Sequence, residues 1–590
     1  MITTPGADPT QELEDYANRV MAGKFKQLAM GGQTTHAAVT MLHEAARSGA
    51  WLCLKNLHLV VHWVPTLEKE LSSITPHPEF RLWLTTEPHP TFPNILLQQS
   101  LKITFEAPPG LQQNLARTYE SLMHREYIEK GPPARAQLLF VLSWFHAVLQ
   151  ERRTYIPQGW TKFYEFSPAD LRSAADICDF AAGVAQGQPD WTTIHGLLMS
   201  AIYGGRVDNV QDERLLGCYL QQYFASATLN PGRAGGGAAR LPARLPTSAN
   251  HADYVALIAG LPTQDKPDLF GLPANSDRAV QRRAAADVEA NLRALGQGAE
   301  AAAGFDREKW SASLSPLLTL WQRLASTVEK VRSAAAPAAG GSGGNAADPV
   351  DAFVALELGK AKALLRIVDD SLAAIGRVVR GTELLGAETK AQGNALIKGE
   401  VPASWAKRWE GPERPDVWMR AAVRRIGAAL EWHAAAGSGT LLQRPLRLAD
   451  LLHPAFFLTA LRQQTARRAR APMDSLRLAA ALDAGALPRG AALHVQLDGL
   501  LLQGASCAPP HGLEPIAADA PTFSPMPQLY LAWVAGGEAA PMYSADKSTL
   551  LPLYLDPERE ALLAELRLPC TGTESQWLQA GAALFLSSDA

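Results

Sequence analysis

Along the first hundred residues the apolar positions switch between two periods. In Thr34–Ser48 (TTHAAVTMLHEAARS), Ala38, Met41, Leu42 and Ala45 recur at three- and four-residue spacing, which places them on one face of a helix. Gly49 ends that helix, and Trp51-Leu52-Cys53-Leu54 follows as an unbroken apolar run, the pattern of a strand buried on both faces. An earlier helix is predicted where Asp8-Pro9-Thr10 leads into QELEDYANRVMAG, because acids in a first turn suit the helix dipole. KFKQLAM gives a short strand, a further helix runs from about Val61 to Leu71, the apolar run FRLWL (80–84) is the next buried strand, and LKITFE (101–106) is a third. Strands alternating with helices predict a parallel, doubly wound sheet.

The pattern then becomes helical from about Ala134 to Tyr223. Ser167-Pro168-Ala169-Asp170 is a strong helix start, with serine as cap and proline at the first helical position. Asp277–Arg332 and Asp351–Val379 are again helical. From about Ala492 short β-like runs follow, LHVQLDGLLLQGA, QLYLAWV and LLPLYL, implying a small antiparallel sheet or barrel. Two stretches, Asn230–Arg244 and Ala334–Pro349, are rich in Gly, Ala and Pro and have too few large apolar side chains to offset their ordering entropy. The expected division is 1–120, 134–228, a linker at 229–250, and 251–588 with a loop insertion at 334–349.

Composition narrows the function classes. The 590 residues are 47% hydrophobic and 19% charged, which excludes wholesale disorder. Lys+Arg number 55 against Asp+Glu 58, so no global basic field points to nucleic acid. No apolar run reaches the roughly 18–20 residues of a membrane span, and the first residues lack the pattern of a secretory signal. Five cysteines lie far apart with no C-x-x-C pair, which fits a reducing compartment. These features predict a soluble, intracellular, multi-domain protein without membrane insertion.

Candidate chemistry is sparse. Thr4-Pro5-Gly6-Ala7-Asp8-Pro9-Thr10 lies where a phosphate loop would sit, between a first strand and its helix. Such a loop needs spaced glycines, a Lys and a Ser/Thr. Gly6 stands alone, Asp8 repels phosphate and Pro9 lacks an amide donor. The strand ending at Lys55-Asn56-Leu57-His58 should carry a carboxylate pair to hold metal and orient water; Asn56 supplies neither. Thr85, at the end of the next strand, is placed to sense a phosphate or simply to cap a turn. Gly31-Gly32-Gln33 matches a peptide-release tripeptide, yet no basic surface accompanies it. His36 and His43 share a helix face without metal-site spacing, Cys53 sits in a core-like strand, and no G-x-S-x-G elbow occurs. The run Arg462–Arg470 has the pattern of a solvated or acid-binding helix face. The residues assign no catalytic group, no metal and no cofactor, and Gly6, Asp8, Pro9, Asn56 and Thr85 together mark a vestigial nucleotide pocket.

TPGADP, GGQ, WLCLKNLHLVVHWVPTLEKEL and FRLWLTTEPHPTFPNILLQQSLKITFEAPPGLQQNLARTYE together resemble the sixth AAA+ module of a dynein heavy chain. IPQGWTKFYEFSPADLR (156–172) and IYGGRVDN (202–209) resemble the family's AAA lid. KPDLFGLPAN (266–275), VPASWAKRWEGPERPDVWM (401–419), LADLLHPAFFLTALRQQTAR (448–467), LDGLLLQGASC (497–507), LLPLYLDPER (550–559) and WLQAGAALFL (577–586) resemble its C-terminal domain. WLCLKNLHL, QERRTYIPQGWTKFYEFS and QWLQAGAALFL are most similar to the intraflagellar-transport branch. The resemblance implies an α/β AAA+ P-loop-like module, a helical lid and a mixed C-terminal domain. It implies a sheet left incomplete at Met1, since only the end of the first strand precedes the loop, and Met1 is then an internal methionine or a truncated start. The module would be a non-hydrolysing ring member, with ATP and Mg²⁺ belonging to other modules of the motor. Its partners would be the rest of the heavy-chain ring, and dynein subunits and microtubules through regions outside this sequence, in cytoplasm, cytoskeleton and cilium. A stand-alone scaffold or regulator of the ring, and an atypical nucleotide hydrolase, are the alternatives; the second needs a cation near the phosphates and a carboxylate at the strand end.

Overall fold

A computed structural model describes the protein apart from residues 4–8, 22–23, 90–91, 107–108, 185–188, 230–240, 242–243, 299–306, 334–347, 489–490, 492, 536–542, 545–546 and 587–590. Gly6, Asp8 and most of both Gly/Ala-rich stretches therefore lie outside the described residues. The protein divides into two compact units. The first comprises Met1–Glu151, Tyr164–Arg206 and Leu220–Asp265; the second comprises Arg152–Phe163, Val207–Tyr219 and Lys266–Ala590.

In the first unit five strands run parallel: β1 (Ile2–Thr3), β2 (Phe25–Ala29), β3 (Trp51–Lys55), β4 (Arg81–Leu84) and β5 (Thr104–Phe105). β3 pairs with β2 and β4, β1 pairs with β5, and a bridge from Ile2 to Thr86 places β1 beside the end of β4. The order across the strands is thus β2-β3-β4-β1-β5. β3 is buried on both faces because its side chains alternate. Leu52 and Leu54 pack with Ala38, Leu42 and Ala45 of the helix Thr35–Ser48, while Trp51 and Cys53 pack with Leu13 and Ala17 of the helix Thr10–Met21. Gly49 adopts φ 74 to close the second of these helices.

Two local expectations shift. The helix expected from about Val61 begins at Val64, preceded by a tighter turn at Leu57–Trp63, because Pro65 is suited to a first helical turn. β4, expected to be buried, is only partly covered, and β1 and β5 are two residues each.

The rest of this unit is helical. Helix Pro133–Glu151 is buried almost all round from Leu138 to Leu149, so its apolar residues show no stripe. Phe145 meets the rings of Tyr203 and Phe224 edge-on at 5.0 and 5.3 Å. Ser167 and Asp170 cap the helix Pro168–Val184 reciprocally, the Ser167 amide donating to the Asp170 carboxylate and the Asp170 amide to Ser167 Oγ.

The second unit begins its main body with helices Ser276–Gly298, Arg307–Thr327, Pro349–Arg380, Pro415–Gly437 and Pro454–Ala469, three of them opening on proline. Trp310, Trp321, Trp405 and Trp418 join Leu358, Leu364, Val368 and Ile375 in one core. The strands that follow are β6 (Leu476–Ala481), β7 (His494–Leu497), β8 (Leu501–Gln503), β9 (Ser506–Ala508), β10 (Gly512–Glu514), β11 (Phe523–Pro525), β12 (Leu529–Ala535), β13 (Ser548–Tyr554), β14 (Leu562–Pro569) and β15 (Ala583–Phe585). They form sheets in the orders β11-β8-β15-β13-β14, β6-β12-β7 and β10-β9. Among the described residues the strand-to-strand pairings are antiparallel except that of β13 with β15, which run parallel through Leu553–Leu584 and Tyr554–Phe585. That pair departs from the antiparallel sheet expected of short runs, because the helix Glu574–Gln579 intervenes and reverses the backbone between β14 and β15.

Candidate functional site

In an open parallel sheet ligands bind beyond the carboxyl ends of the strands, so the ends of β1, β3 and β4 are where chemistry would concentrate. Thr85 is 3% exposed and bonds on every side. Its amide donates to Leu54 O at 3.0 Å, its carbonyl accepts the Leu57 amide at 3.0 Å, and its Oγ1 accepts the Asn56 amide at 3.1 Å. Asn56 itself sits in the left-handed region at φ 60, a conformation asparagine tolerates better than most side chains. Thr85 thus clamps the turn that leaves β3. Thr86 and Thr3 are tied likewise: the Thr3 amide donates to Thr86 O at 2.9 Å and the Thr86 amide to Met1 O at 3.1 Å. Pro9, buried before the helix Thr10–Met21, brings no donor to this edge. Of the five residues expected from the sequence to mark a vestigial nucleotide pocket, Asn56 and Thr85 are brought together, Pro9 stands at the helix start, and Gly6 and Asp8 are not described.

Next to this edge an open crevice of about 430 Å³ is lined by Glu12, Phe105, Glu106, Gln113, Arg117 and Glu120. Glu12 is in the first turn of the helix Thr10–Met21 and Glu106 directly follows β5. Arg117 pairs with Glu12 at 3.4 Å and lies over the Phe105 ring at 6.0 Å. Three carboxylates against one guanidinium give the crevice the sign of charge that opposes a polyphosphate. Among the described residues no group of His, Cys, Asp and Glu is placed to hold a metal ion. None of the described helices is long and apolar enough to cross a membrane.

The strongest polar groups of this unit hold helices together. Arg135 clasps Asp179 through two nitrogens at 2.7 and 2.8 Å, and Tyr127 donates its hydroxyl to the same carboxylate at 3.1 Å. Burial, then the Asp179 charge, pushes the Tyr127 phenol up to about 12. Burial would raise the Asp170 carboxyl, but bonds from Arg206 and Ser167 outweigh it and the net direction is down. His146 Nδ1 and the Tyr203 hydroxyl, both buried, bond at 3.0 Å. These are scaffold interactions, and among the described residues no titrating pair of the kind used for proton transfer is set apart in a cleft.

The crevice carboxylates do not stand out in the sequence, because Glu106 and Glu120 lie about a hundred residues from Glu12. The acids at the start of the first helix were the available signal. Nor does anything in the sequence single out Arg152 and Arg559, two buried guanidiniums of the second unit, the first being 0% and the second 6% exposed.

A parallel sheet flanked by helices, a helical continuation and mixed terminal sheets are the arrangement of a P-loop-type module with attached domains. Three family profiles cover that arrangement in order: the dynein heavy chain region D6 P-loop domain over residues 1–104, the dynein heavy chain AAA lid domain over 135–276, and the C-terminal domain of dynein heavy chains over 284–586. The protein belongs to the dynein heavy chain family. It is 46% identical over 607 aligned residues to cytoplasmic dynein 2 heavy chain 1 of Chlamydomonas reinhardtii, an alignment that takes in 99% of this sequence and 14% of that protein. Against the same protein of Homo sapiens identity is 44%, over 100% of this sequence and 14% of the relative. The cytoplasmic dynein heavy chain of Dictyostelium discoideum is 29% identical, over 98% of this sequence and 12% of that protein. The sequence therefore spans about one seventh of the length of its dynein 2 relatives.

Proposed function

We propose that this protein supplies a structural, non-hydrolysing AAA+ module, its lid and a bracing C-terminal domain to a dynein 2-type motor ring. In that role its module receives and transmits rearrangements driven by ATP and Mg²⁺ at other modules of the heavy chain, through packed contacts. The motor so completed moves toward microtubule minus ends, and its cargo work is retrograde intraflagellar transport, in cytoplasm, cytoskeleton and cilium. Its direct partner is the remainder of the heavy-chain ring; microtubules and the other dynein subunits engage regions beyond this sequence.

The observation that carries the non-hydrolysing reading is the Thr85 clamp. The group best placed to sense a γ-phosphate has its hydroxyl engaged by the Asn56 amide, and the neighbouring strand ends in Lys55-Asn56. The test is microtubule-stimulated ATPase of the full-length heavy chain with Thr85→Val. Turnover and nucleotide affinity unchanged from wild type support the reading. Loss of turnover with the fold intact would instead favour the atypical hydrolase.

A further inference from the structure

Three consecutive backbone carbonyls of the second unit, those of Gln579, Ala580 and Gly581, are each gripped by a buried side chain from another part of that unit. Arg152 Nη2 donates to Gln579 O at 2.8 Å, Gln158 Nε2 to Ala580 O at 3.0 Å and Arg559 Nη2 to Gly581 O at 2.7 Å. These carbonyls end the helix Glu574–Gln579, whose last turn has no intrahelical donors for them, and the two guanidiniums also meet the negative end of its dipole. Gln503 joins the set, accepting from Arg559 Nη2 at 2.8 Å and donating to Gln158 Oε1 at 3.4 Å. β15 follows immediately at Ala583.

The donor at Gly581 is held under strain. Arg559 adopts φ 62, a left-handed conformation unfavourable to any residue with a Cβ. Its Nε is buried with no hydrogen-bond partner among the described residues, and so is Oδ1 of Asp556, three positions earlier in the same β13–β14 turn. The guanidinium lies over the rings of Phe585 at 5.5 Å and Tyr554 at 5.9 Å. β13 and β14 also shift register between Leu553 and Tyr554, just before the turn. Burial, with the charges of Glu558 and Glu560, pushes the Asp556 carboxyl up to about 6, and burial brings the Arg559 guanidinium down to about 10. A left-handed arginine and two unsatisfied buried polar atoms in one turn are a local conflict that a permanently closed structure has no use for.

We propose that the β13–β14 turn, residues 555–561, is a sprung latch on the segment 579–585. Closed, Arg559 stands over Tyr554 and Phe585 and holds Gly581 and Gln503. Open, the turn moves into solvent, where Arg559 and Asp556 regain hydration, and 579–585 loosens from Gln158 and Gln503. The latch sets how firmly Arg152–Phe163 is tied to the terminal strand. It goes beyond the motor assignment and stands on this protein's geometry, whichever ring it serves.

The test is hydrogen–deuterium exchange on the full-length heavy chain at pH 7.5. Residues 555–561 and 579–586 are expected to exchange as one cooperative unit. Arg559→Gln should speed exchange in both by about tenfold, because a charged grip on a buried carbonyl is lost, and leave the helix Pro415–Gly437 unchanged. Asp556→Asn removes the buried charge and should slow exchange in both segments by about threefold or more; it keeps the test decisive if Arg559→Gln misfolds. The latch is overturned if Asp556→Asn slows neither segment, if the two segments respond separately, or if Arg559→Gln loosens the whole unit alike.

Discussion

Arg152 and Arg153 are neighbours in sequence with expected consequences of very different size when truncated. The Arg152 side chain is fully buried and donates to Gly159 O at 2.7 Å, the Tyr219 hydroxyl at 2.7 Å, Phe270 O at 2.5 Å and Gln579 O at 2.8 Å. In Arg152→Met, Phe270 O keeps the Tyr219 hydroxyl as a donor at 2.5 Å, whereas Gly159 O and Gln579 O lose the guanidinium. A buried acceptor deprived of its donor costs roughly 1–3 kcal/mol, so the two together cost roughly 2–6 kcal/mol. Relief from holding a charge in the interior returns part of that, leaving an expected loss of about 2–4 kcal/mol. This corresponds to about a 30- to 1,000-fold larger open population of the segment 152–163. Arg153 instead is partly exposed and lies over the exposed ring of Phe163 at 4.9 Å, a contact worth about 0.5–1 kcal/mol, so Arg153→Met should open the segment less than Arg152→Met does. Native-state proteolysis reads this population when reclosing outruns cleavage, so cleavage rates within 152–163 in the two variants give the ratio directly. Equal rates for Arg152→Met and Arg153→Met would refute the assignment of this segment's anchorage to the cage that the carbonyls of Gly159, Phe270 and Gln579 form around Arg152.

Other expectations follow from single sites. Asn56→Gly relieves the left-handed strain at φ 60 while keeping the amide that Thr85 Oγ1 accepts; thermal unfolding of the first unit should rise by an amount equivalent to about 0.5–1 kcal/mol, less the added backbone entropy of glycine. Thr85→Ala should lower it by about 1 kcal/mol through the lost acceptor. Gly581→Ala would place a Cβ 2.4 Å from Gln158 O at φ 63, so loosening of 579–586 should exceed that of any alanine change on an exposed position of the same unit. The Asp556 carboxyl has a closed-state value of about 6 against its ordinary 3.8. The closed turn therefore holds the extra proton, its stability is full below pH 3.8, and it declines as pH rises through 6. Exchange in 555–561, corrected for intrinsic rates, should accelerate between about pH 4 and 7 in wild type and show no such rise in Asp556→Asn.

The legible part of this fold was local. The two-face burial of Trp51–Leu54 and the Gly49 helix end follow from period and from glycine's backbone freedom, and both stand where the pattern placed them. The expectation of a failed phosphate loop rests on adjacent residues, Asp8-Pro9 before the first helix and Lys55-Asn56 at a strand end, which is why sequence alone can raise it. What the pattern misses depends on pairs distant in sequence. Arg152 meets Gln579 across 427 positions, and nothing about an arginine beside another arginine marks it as a core residue. The parallel β13–β15 pairing is set by a six-residue helix between strands, too short to announce itself by periodicity. Partial exposure of β4 is likewise a property of its neighbours, since β1 touches that strand only beyond its end.

The same separation bears on synthesis at the ribosome. Arg152 emerges 427 residues before Gln579, an interval of about 20–90 s at about 5–20 residues per second. Throughout it the guanidinium and the aromatic residues of 152–163 have only some of the surfaces that will bury them, so this stretch is where a nascent polypeptide offers a chaperone its longest opportunity. Closure of the second unit then waits for the last strands to be made, and a ribosome stalled within them would leave the cage without its final carbonyls.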